Sequence, residues 1–309
     1  MRPFDSGSPP RALAQGVRGP DALHAVAGRL SDASVHAAAE ATPLAWPERL
    51  PDDAWCMSPE LVSLHGLPAW DVLDEAGRRR LAFFECVNFF TLNIHGERAL
   101  MEGIARRLYV KDLADHAHYL HHFLAEENQH MTWFGGFCRR YAGKIYPDRK
   151  LVLPREHAPG EEDVLFFAKV MIFELLVDTF NRRMAKDERL HPLVREINRR
   201  HHEDESRHLA FGRLLVEDLW RRHAPAWSEA TRAAIPAYLA AYLTATWKEY
   251  YNPDVYKDAG VADAGAAARL AREAFASDVA RARRAEIETR CVRVLRDLGL
   301  WPSTQERAA

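Results

Sequence analysis

Hydrophobic positions follow a helical period over most of this chain. From Asp74 onward, apolar residues recur at three- and four-residue intervals, and short breaks at 143–146, 153–160, 191–192 and 224–227 separate the periodic segments. No alternating pattern bounded by hairpin turns competes with this period, so the sequence predicts an all-α fold. The predicted helices cover about 75–109, 111–141, 162–187, 192–222, 229–251 and 266–298.

The first 55 residues have a different character. They are rich in Ala, Pro, Gly and Asp, and prolines at positions 3, 9, 10, 20, 43, 47 and 51 interrupt any long periodic segment. We expect residues 1–55 to be an N-terminal arm that is partly disordered. Residues 56–300 are expected to form the helical domain, with a short tail over 301–309.

Four of the predicted helices carry a glutamate on the apolar stripe. These residues are Glu97, Glu127, Glu174 and Glu205. Moving an unpaired carboxylate into a protein interior costs several kcal/mol, so such residues need compensating partners. Four of them in one chain call for a single shared explanation.

Two of these glutamates begin the same motif. Glu127 with His130 and Glu205 with His208 are both Glu-x-x-His, and residues three apart share one face of a helix. Glu97 precedes the first motif by 30 residues and Glu174 precedes the second by 31. The chain therefore contains two copies of one helical hairpin. Packed together they predict a ferritin-like four-helix bundle with a dinuclear carboxylate site, followed by additional C-terminal helices.

One further histidine breaks this symmetry. At about 100° per residue, His201 lies about 20° from His208 around the helix, whereas His202 lies about 120° from it. We therefore predict that His201 faces the metals and that His202 does not. The equivalent position in the first motif is Phe123. In the alternative interpretation, His201 only hydrogen-bonds a neighbouring carboxylate.

Other charged residues flank these positions. Asp204, Arg207 and Glu126 are candidates to hold the ligands from behind, because metal-bound imidazoles usually donate their outer N–H to a carboxylate. Asp178 is a further candidate, although an exposed edge position suits it equally well. We predict no catalytic residue beyond the ligands. The basic residues of the last helix fit a solvated face better than a substrate contact; they are Arg281, Arg284, Arg290 and Arg293.

Composition excludes several classes of protein. The formal net charge of −2 provides no general attraction for nucleic acid or an anionic membrane. The four cysteines are scattered without a CxxC spacing, which argues against a disulfide framework or a thiolate zinc site. We find no signal peptide and no apolar run of about 18 residues, so we expect a cytoplasmic protein that does not span a membrane.

The seven-residue set resembles the p-aminobenzoate N-oxygenase (AurF-like) family of di-iron oxygenases, over about 60–300. The set comprises Glu97, Glu127, His130, Glu174, His201, Glu205 and His208. The resemblance implies two iron ions, with Glu127 and Glu205 bridging them. It places Glu97 and His130 on one iron, and Glu174, His201 and His208 on the other.

The same resemblance implies a reaction. Two electrons and O2 give a peroxo di-iron species that oxidises an amine, with an aryl amine favoured, to a hydroxylamine and then a nitro product. Such chemistry is typical of specialised-metabolite (antibiotic) biosynthesis. The sequence contains no glycine-rich nucleotide motif, so the electrons must come from a separate reductase or ferredoxin, or from a chemical reductant. A homodimer is expected only by analogy with the family.

Several alternatives remain open. A ferroxidase or manganese catalase uses a six-residue version of the site, and carboxylates with imidazoles suit iron or manganese. A C–H hydroxylase or desaturase uses the same scaffold. A radical-generating subunit needs a tyrosine close to the metals, and the sequence has none within one turn of a ligand. A metal-free binding protein leaves four core carboxylates uncompensated.

Overall fold

The computed structural model of the chain describes residues 20–110, 113–149 and 156–301. These residues are mostly helical and contain no β-strand; an isolated bridge joins Trp55 to Leu190. The predicted all-α class is confirmed. The helices are α1 (Pro20–Glu40), α2 (Pro68–Asp71), α3 (Glu75–Ala105), α4 (Ala117–Phe137), α5 (Glu161–Lys186), α6 (Pro192–His223), α7 (Glu229–Glu249), α8 (Pro253–Asp258), α9 (Ala264–Ala276), α10 (Asp278–Ile287) and α11 (Thr289–Asp297).

The core is a bundle of two helical hairpins. The most extensive helix contacts are those of α5 with α6 and of α3 with α4. The hairpins meet through α4 against α6 and α3 against α5. The four helices that carry the predicted ligands therefore form one bundle, as the duplicated spacing predicts.

Local sequence signals set the ends of these helices. The Asp74 side chain caps α3 by accepting a hydrogen bond from the Gly77 amide at 2.7 Å. Gly160 precedes α5 with a φ of 77°, and a Cβ there would lie 2.3 Å from the His223 ring. Glycine meets both requirements because it has no side chain. The α4 helix continues into a π-helical turn over Cys138–Ala142, which ends at Gly143.

Two glycines let α3 and α5 approach closely. A Cβ on Gly96 would lie 2.3 Å from Cζ of Phe173, and one on Gly103 would lie 2.1 Å from Cε2 of Phe166. The rings of Phe173 and Phe166 occupy the space that a side chain at either glycine would need. Gly96 directly precedes Glu97 and Phe173 directly precedes Glu174, so this contact brings two of the buried glutamates towards each other.

The N-terminal segment contains a helix that the sequence analysis did not predict. Helix α1 begins at Pro20 and ends before Pro43, and it packs on α4 and α6 with Leu23 and Val26 buried. Its alanine-rich sequence makes the apolar stripe difficult to recognise. Residues 1–19 of the predicted arm and residues 302–309 of the predicted tail lie outside the described part of the chain.

The single long helix predicted over 266–298 is wrong. Three helices, α9, α10 and α11, occupy this stretch instead. Ser277 is extended, with a ψ of 151°, and its hydroxyl accepts a hydrogen bond from the Ala280 amide at 3.2 Å. A serine that caps a new helix ends the previous one. The break allows α11 to pack against α5.

Two further findings concern membrane-spanning helices and the cysteines. Within the described ranges, no helix is both long enough and apolar enough to cross a membrane. The four cysteines, Cys56, Cys86, Cys138 and Cys291, are buried free thiols.

Candidate metal centre

The bundle brings all seven predicted ligands together in its interior. Helix α3 provides Glu97 and α5 provides Glu174, while the two Glu-x-x-His motifs lie on α4 and α6. None of the seven residues is more than 2% exposed. Their oxygen and nitrogen atoms form three groups, each within 4.8 Å: Glu97, Glu127, His130 and His201; Glu127, Glu205 and His208; Glu174, His201 and Glu205.

The motif histidines face the shared carboxylates with their inner nitrogens. His130 Nδ1 lies 3.1 Å from Glu127 Oε2. His208 Nδ1 lies 3.0 Å from Glu127 Oε1 and 3.1 Å from Glu205 Oε1. Glu127 and Glu205 each belong to two of the three groups, which is the placement that a bridging carboxylate requires.

His201 also reaches the centre of the cluster. Its Nε2 atom lies 3.2 Å from Glu97 Oε1 and 3.2 Å from Glu205 Oε1. It belongs to two groups and is equally close to both glutamates, so the family-based assignment of His201 to one particular iron stays a prediction. The neighbouring His202 is directed elsewhere and pairs with Asp178.

A buried asparagine holds His201 from behind. The side-chain amide nitrogen of Asn181 lies 2.6 Å from His201 Nδ1, and Asn181 is fully buried. The amide nitrogen donates to the ring, and this contact fixes the plane of the imidazole. Sequence analysis missed Asn181 because an amide on an apolar stripe has no distinguishing motif.

The outer nitrogens of the motif histidines bind carboxylates from the opposite helix. His130 Nε2 on α4 lies 3.0 Å from Asp204 Oδ2 on α6. His208 Nε2 on α6 lies 2.7 Å from Glu126 Oε2 on α4. Arg207 joins the two carboxylates, since it donates to Glu126 Oε1 at 2.6 Å and also to Asp204. These three residues lie behind the ligands, where the sequence analysis placed them. Each helix supplies the carboxylate that binds the histidine of the other, so these contacts join α4 to α6.

The fourth candidate of this kind, Asp178, plays a different part. Its carboxylate is fully buried, but it pairs with His202 and Arg290 rather than with one of the seven residues. The prediction that Asp178 supports a ligand is therefore corrected. So is the solvated-face interpretation of Arg290, because α11 docks on α5 and directs this guanidinium at Asp178.

The carboxylates of the cluster differ widely in their pKa values. Burial raises the pKa of Glu97 to about 7. Burial and the Glu205 and Glu127 carboxylates raise the pKa of Glu174 well above its usual range. Burial opposes ionisation of Glu205, yet the His208 and His201 imidazoles hold its pKa well below the usual value. Carboxylates with such different pKa values are typical of a site where several anions share one small space.

Several buried carboxylate oxygens of the cluster are available to a cation. Both oxygens of Glu174, and Oε2 of Glu97 and of Glu205, have no hydrogen-bond partner within the described part of the chain. Buried oxygens of this kind are costly unless a cation or a donor satisfies them. Carboxylates with imidazoles, and without thiolates, are the donor set that iron and manganese prefer. The residues present therefore fit a pair of such metal ions.

Tertiary packing also brings aromatic residues to the cluster. Phe134 contacts the His201 ring edge-to-face with centroids 5.0 Å apart, and Trp133 lies 5.5 Å from His130. Tyr250 follows α7 in a distant part of the chain. Its hydroxyl is buried and unpartnered within the described residues, and burial together with the Glu174 carboxylate raises its pKa. No sequence signal placed this tyrosine near Glu174.

Comparison with known proteins agrees with this geometry. The family model described as "P-aminobenzoate N-oxygenase AurF" matches residues 21–299. No curated protein matches the chain. The match includes α1, which the sequence analysis had assigned to an arm, and all seven clustered residues. Since it extends over nearly the whole chain, the protein is an enzyme of the p-aminobenzoate N-oxygenase AurF family.

Proposed function

We propose that this chain is a di-iron oxygenase that uses O2 to convert an amine, with an aryl amine favoured, into a hydroxylamine or nitro product. The observation that carries the proposal is the buried set of four carboxylates and three imidazoles on four helices, in a chain of this family. Glu127 and Glu205 would hold both irons. Glu97, His130, Glu174, His201 and His208 would complete their ligand sets.

Two irons at this position would deliver two electrons to O2 together, which is the chemistry that the bare protein cannot supply. The protein's own part is to orient the ligands. Asp204 and Glu126 accept the outer hydrogens of His130 and His208, and this fixes which nitrogen of each ring faces inward. Arg207 balances the charge of both carboxylates.

The bundle also controls what reaches the site. The seven residues are almost completely shielded from solvent, and phenyl rings cover His201 and His208. A water-poor site strengthens the electrostatic interactions inside it and limits side reactions of an oxidant.

The third histidine supports N-oxygenation over the rival activities. Ferroxidases and manganese catalases use the six-residue set, whereas His201 adds a seventh candidate ligand within 3.2 Å of two glutamates. A C–H hydroxylase or desaturase on the same scaffold remains the competing enzyme. We also propose a separate reductase or ferredoxin as electron donor, a role in antibiotic biosynthesis and a cytoplasmic location.

A product analysis tests this proposal. The protein is loaded with Fe(II) without oxygen, its iron is counted, and O2 is admitted with a panel of aryl and alkyl amines. We expect about two irons per chain and N-oxygenated products by mass spectrometry. Glu174→Ala should lower the bound iron, while the exposed Glu203→Ala on α6 should not. Products hydroxylated on carbon or desaturated would favour the competing enzyme, and protein that retains no iron would rule out both.

A further inference from the structure

One aromatic side chain links the buried cluster to the protein surface. Trp133 lies three residues after His130 on α4, and their ring centroids are 5.5 Å apart with 41° between the planes. His130 is fully buried, whereas Trp133 is half-buried. The indole therefore contacts a candidate ligand on one side and solvent-accessible space on the other.

That space is a cavity of about 550 Å³ between α1, α4 and α6. Trp133 and Gln129 line it from α4, and Ser34 and Thr42 line it from α1 and the segment after it. Its wall also includes Glu126 and Asp204, the carboxylates that hold His208 and His130. A small molecule in the cavity would be separated from His130 only by the side chain of Asp204, and from His208 only by that of Glu126.

We infer that Trp133 is a redox-active residue that supplies an electron to the oxidised iron centre when no amine is in place, and so protects the ligands from damage. This inference rests on the proposed function. A centre that has reacted with O2 without a substrate remains a strong oxidant next to seven side chains. Indole loses an electron far more easily than a phenyl ring or a carboxylate, so Trp133 is the preferred donor at this contact.

The electron and proton have defined destinations. One electron passes from the indole to the iron centre through the His130 ring, and the Nε1 proton passes to water in the cavity. A small thiol or ascorbate that enters the cavity then returns one electron and one proton to the indole. With a thiol, two oxidised molecules couple as a disulfide, and Trp133 is restored. If no reductant arrives, the oxidised indole takes up oxygen permanently.

The other aromatic residues near the cluster suit this role less well, and one of them, Tyr250, is buried and does not line the cavity. Phe123 and Phe134 touch His208 and His201, but their phenyl rings resist oxidation and are buried. Tyr119 is oxidisable and lies 6.2 Å from Phe123, yet it is 1% exposed and does not line the cavity. Among these residues, Trp133 combines an oxidisable ring, direct contact with a histidine and access for a reductant.

Peptide mass spectrometry tests the inference. The Fe(II)-loaded full-length protein is exposed to O2 without an amine and without a free reductant, then digested, and added oxygen atoms are assigned to residues. We expect severalfold more oxygen on Trp133 than on Trp220, a half-buried tryptophan that contacts Trp227. Iron-free protein should show no such difference. Addition of a thiol should lower the oxidation of Trp133 specifically.

Variants provide the second measurement. Trp133→Phe should move oxidation onto His130 and its neighbours and shorten the working life of the protein, whereas Trp133→Tyr should restore much of the protection. Trp220→Phe should behave as wild type. Equal oxidation of Trp133 and Trp220 in protein that binds two irons and consumes O2 would overturn this inference alone, as would oxidation concentrated on Tyr119. Failure to bind iron would overturn the proposed function as well.

Discussion

The phenyl ring of Phe123 stacks on the imidazole of His208, with centroids 3.8 Å apart and 22° between the planes. Phe123 precedes Glu127 by four residues, the place that His201 takes before Glu205. The two halves of the duplicated pattern therefore use the same position differently. In the second half this position provides the His201 imidazole inside the cluster. In the first half it provides Phe123, an apolar ring that covers His208 of the opposite helix.

This cover is expected to stabilise the fold. Phe123→Ala should lower the free energy of unfolding by about 3–5 kcal/mol, because it removes a buried ring and leaves a cavity beside His208. Phe123→Leu keeps most of the volume and should cost less than about 1.5 kcal/mol. Urea denaturation measures both values. Equal losses in the two variants would contradict a role based on ring volume.

The adjacent histidines 201 and 202 should differ in their effect on metal binding. His201→Ala removes a nitrogen within 3.2 Å of Glu97 and Glu205, so bound iron should fall towards about one per chain. His202→Ala should retain the iron, because that ring pairs with Asp178 instead. Metal analysis after anaerobic loading measures the difference. Full iron content in both variants would show that His201 only hydrogen-bonds a carboxylate.

The ion pair between Asp178 and Arg290 should matter for stability. Asp178 is fully buried, and Arg290→Met would leave its charge with less compensation. We expect a loss of about 3 kcal/mol in the free energy of unfolding. Arg293→Met, an exposed change on the same helix, should stay within about 0.5 kcal/mol of wild type. Small losses in both variants would mean that the Asp178–Arg290 ion pair does not stabilise the bundle.

The contact of α3 with α5 should not tolerate a methyl group. Gly96→Ala would place a Cβ 2.3 Å from the Phe173 ring, and we expect a loss of about 1–3 kcal/mol. Gly135→Ala on α4 has nothing within 4 Å of the new Cβ, so it should stabilise the protein by up to about 1 kcal/mol. Thermal denaturation of the pair gives opposite shifts if close packing decides the outcome.

The stability of the protein should depend on pH through Glu85, a buried acid outside the cluster. Glu85 accepts a hydrogen bond from the Ser63 amide at 3.3 Å, and burial raises its pKa from 4.5 to about 7. Between these values the folded protein keeps a proton that the unfolded chain has released. The contribution of this group to the free energy of unfolding is therefore present at low pH. It falls by about 3 kcal/mol as the pH rises towards 7.

A matched pair of variants isolates this effect. Glu85→Gln keeps the shape of the side chain and removes the titration, so its free energy of unfolding should fall less between pH 5 and pH 8 than that of wild type. The exposed Glu75→Gln should retain the wild-type difference. An unchanged pH dependence in Glu85→Gln would mean that Glu85 is ionised in the folded protein.

The sequence by itself determined the all-α class, the two hairpins and the seven candidate ligands. Angles around a helix follow directly from residue spacing, so two Glu-x-x-His motifs at matched distances place four glutamates and two histidines on facing stripes. The same argument separated His201 from His202. Asp204, Arg207 and Glu126 were also identified because they adjoin the motifs in the chain.

Only the tertiary structure decided which distant segments complete this arrangement. Asp178 meets Arg290 across 112 residues, and Asn181 meets His201 across 20. Such contacts depend on the rotation and axial shift of one helix against another, which a single periodic pattern does not specify. The same is true of α1, whose docking on α4 and α6 creates the cavity beside Trp133. Helical periodicity describes one helix at a time, whereas these partners are selected by packing.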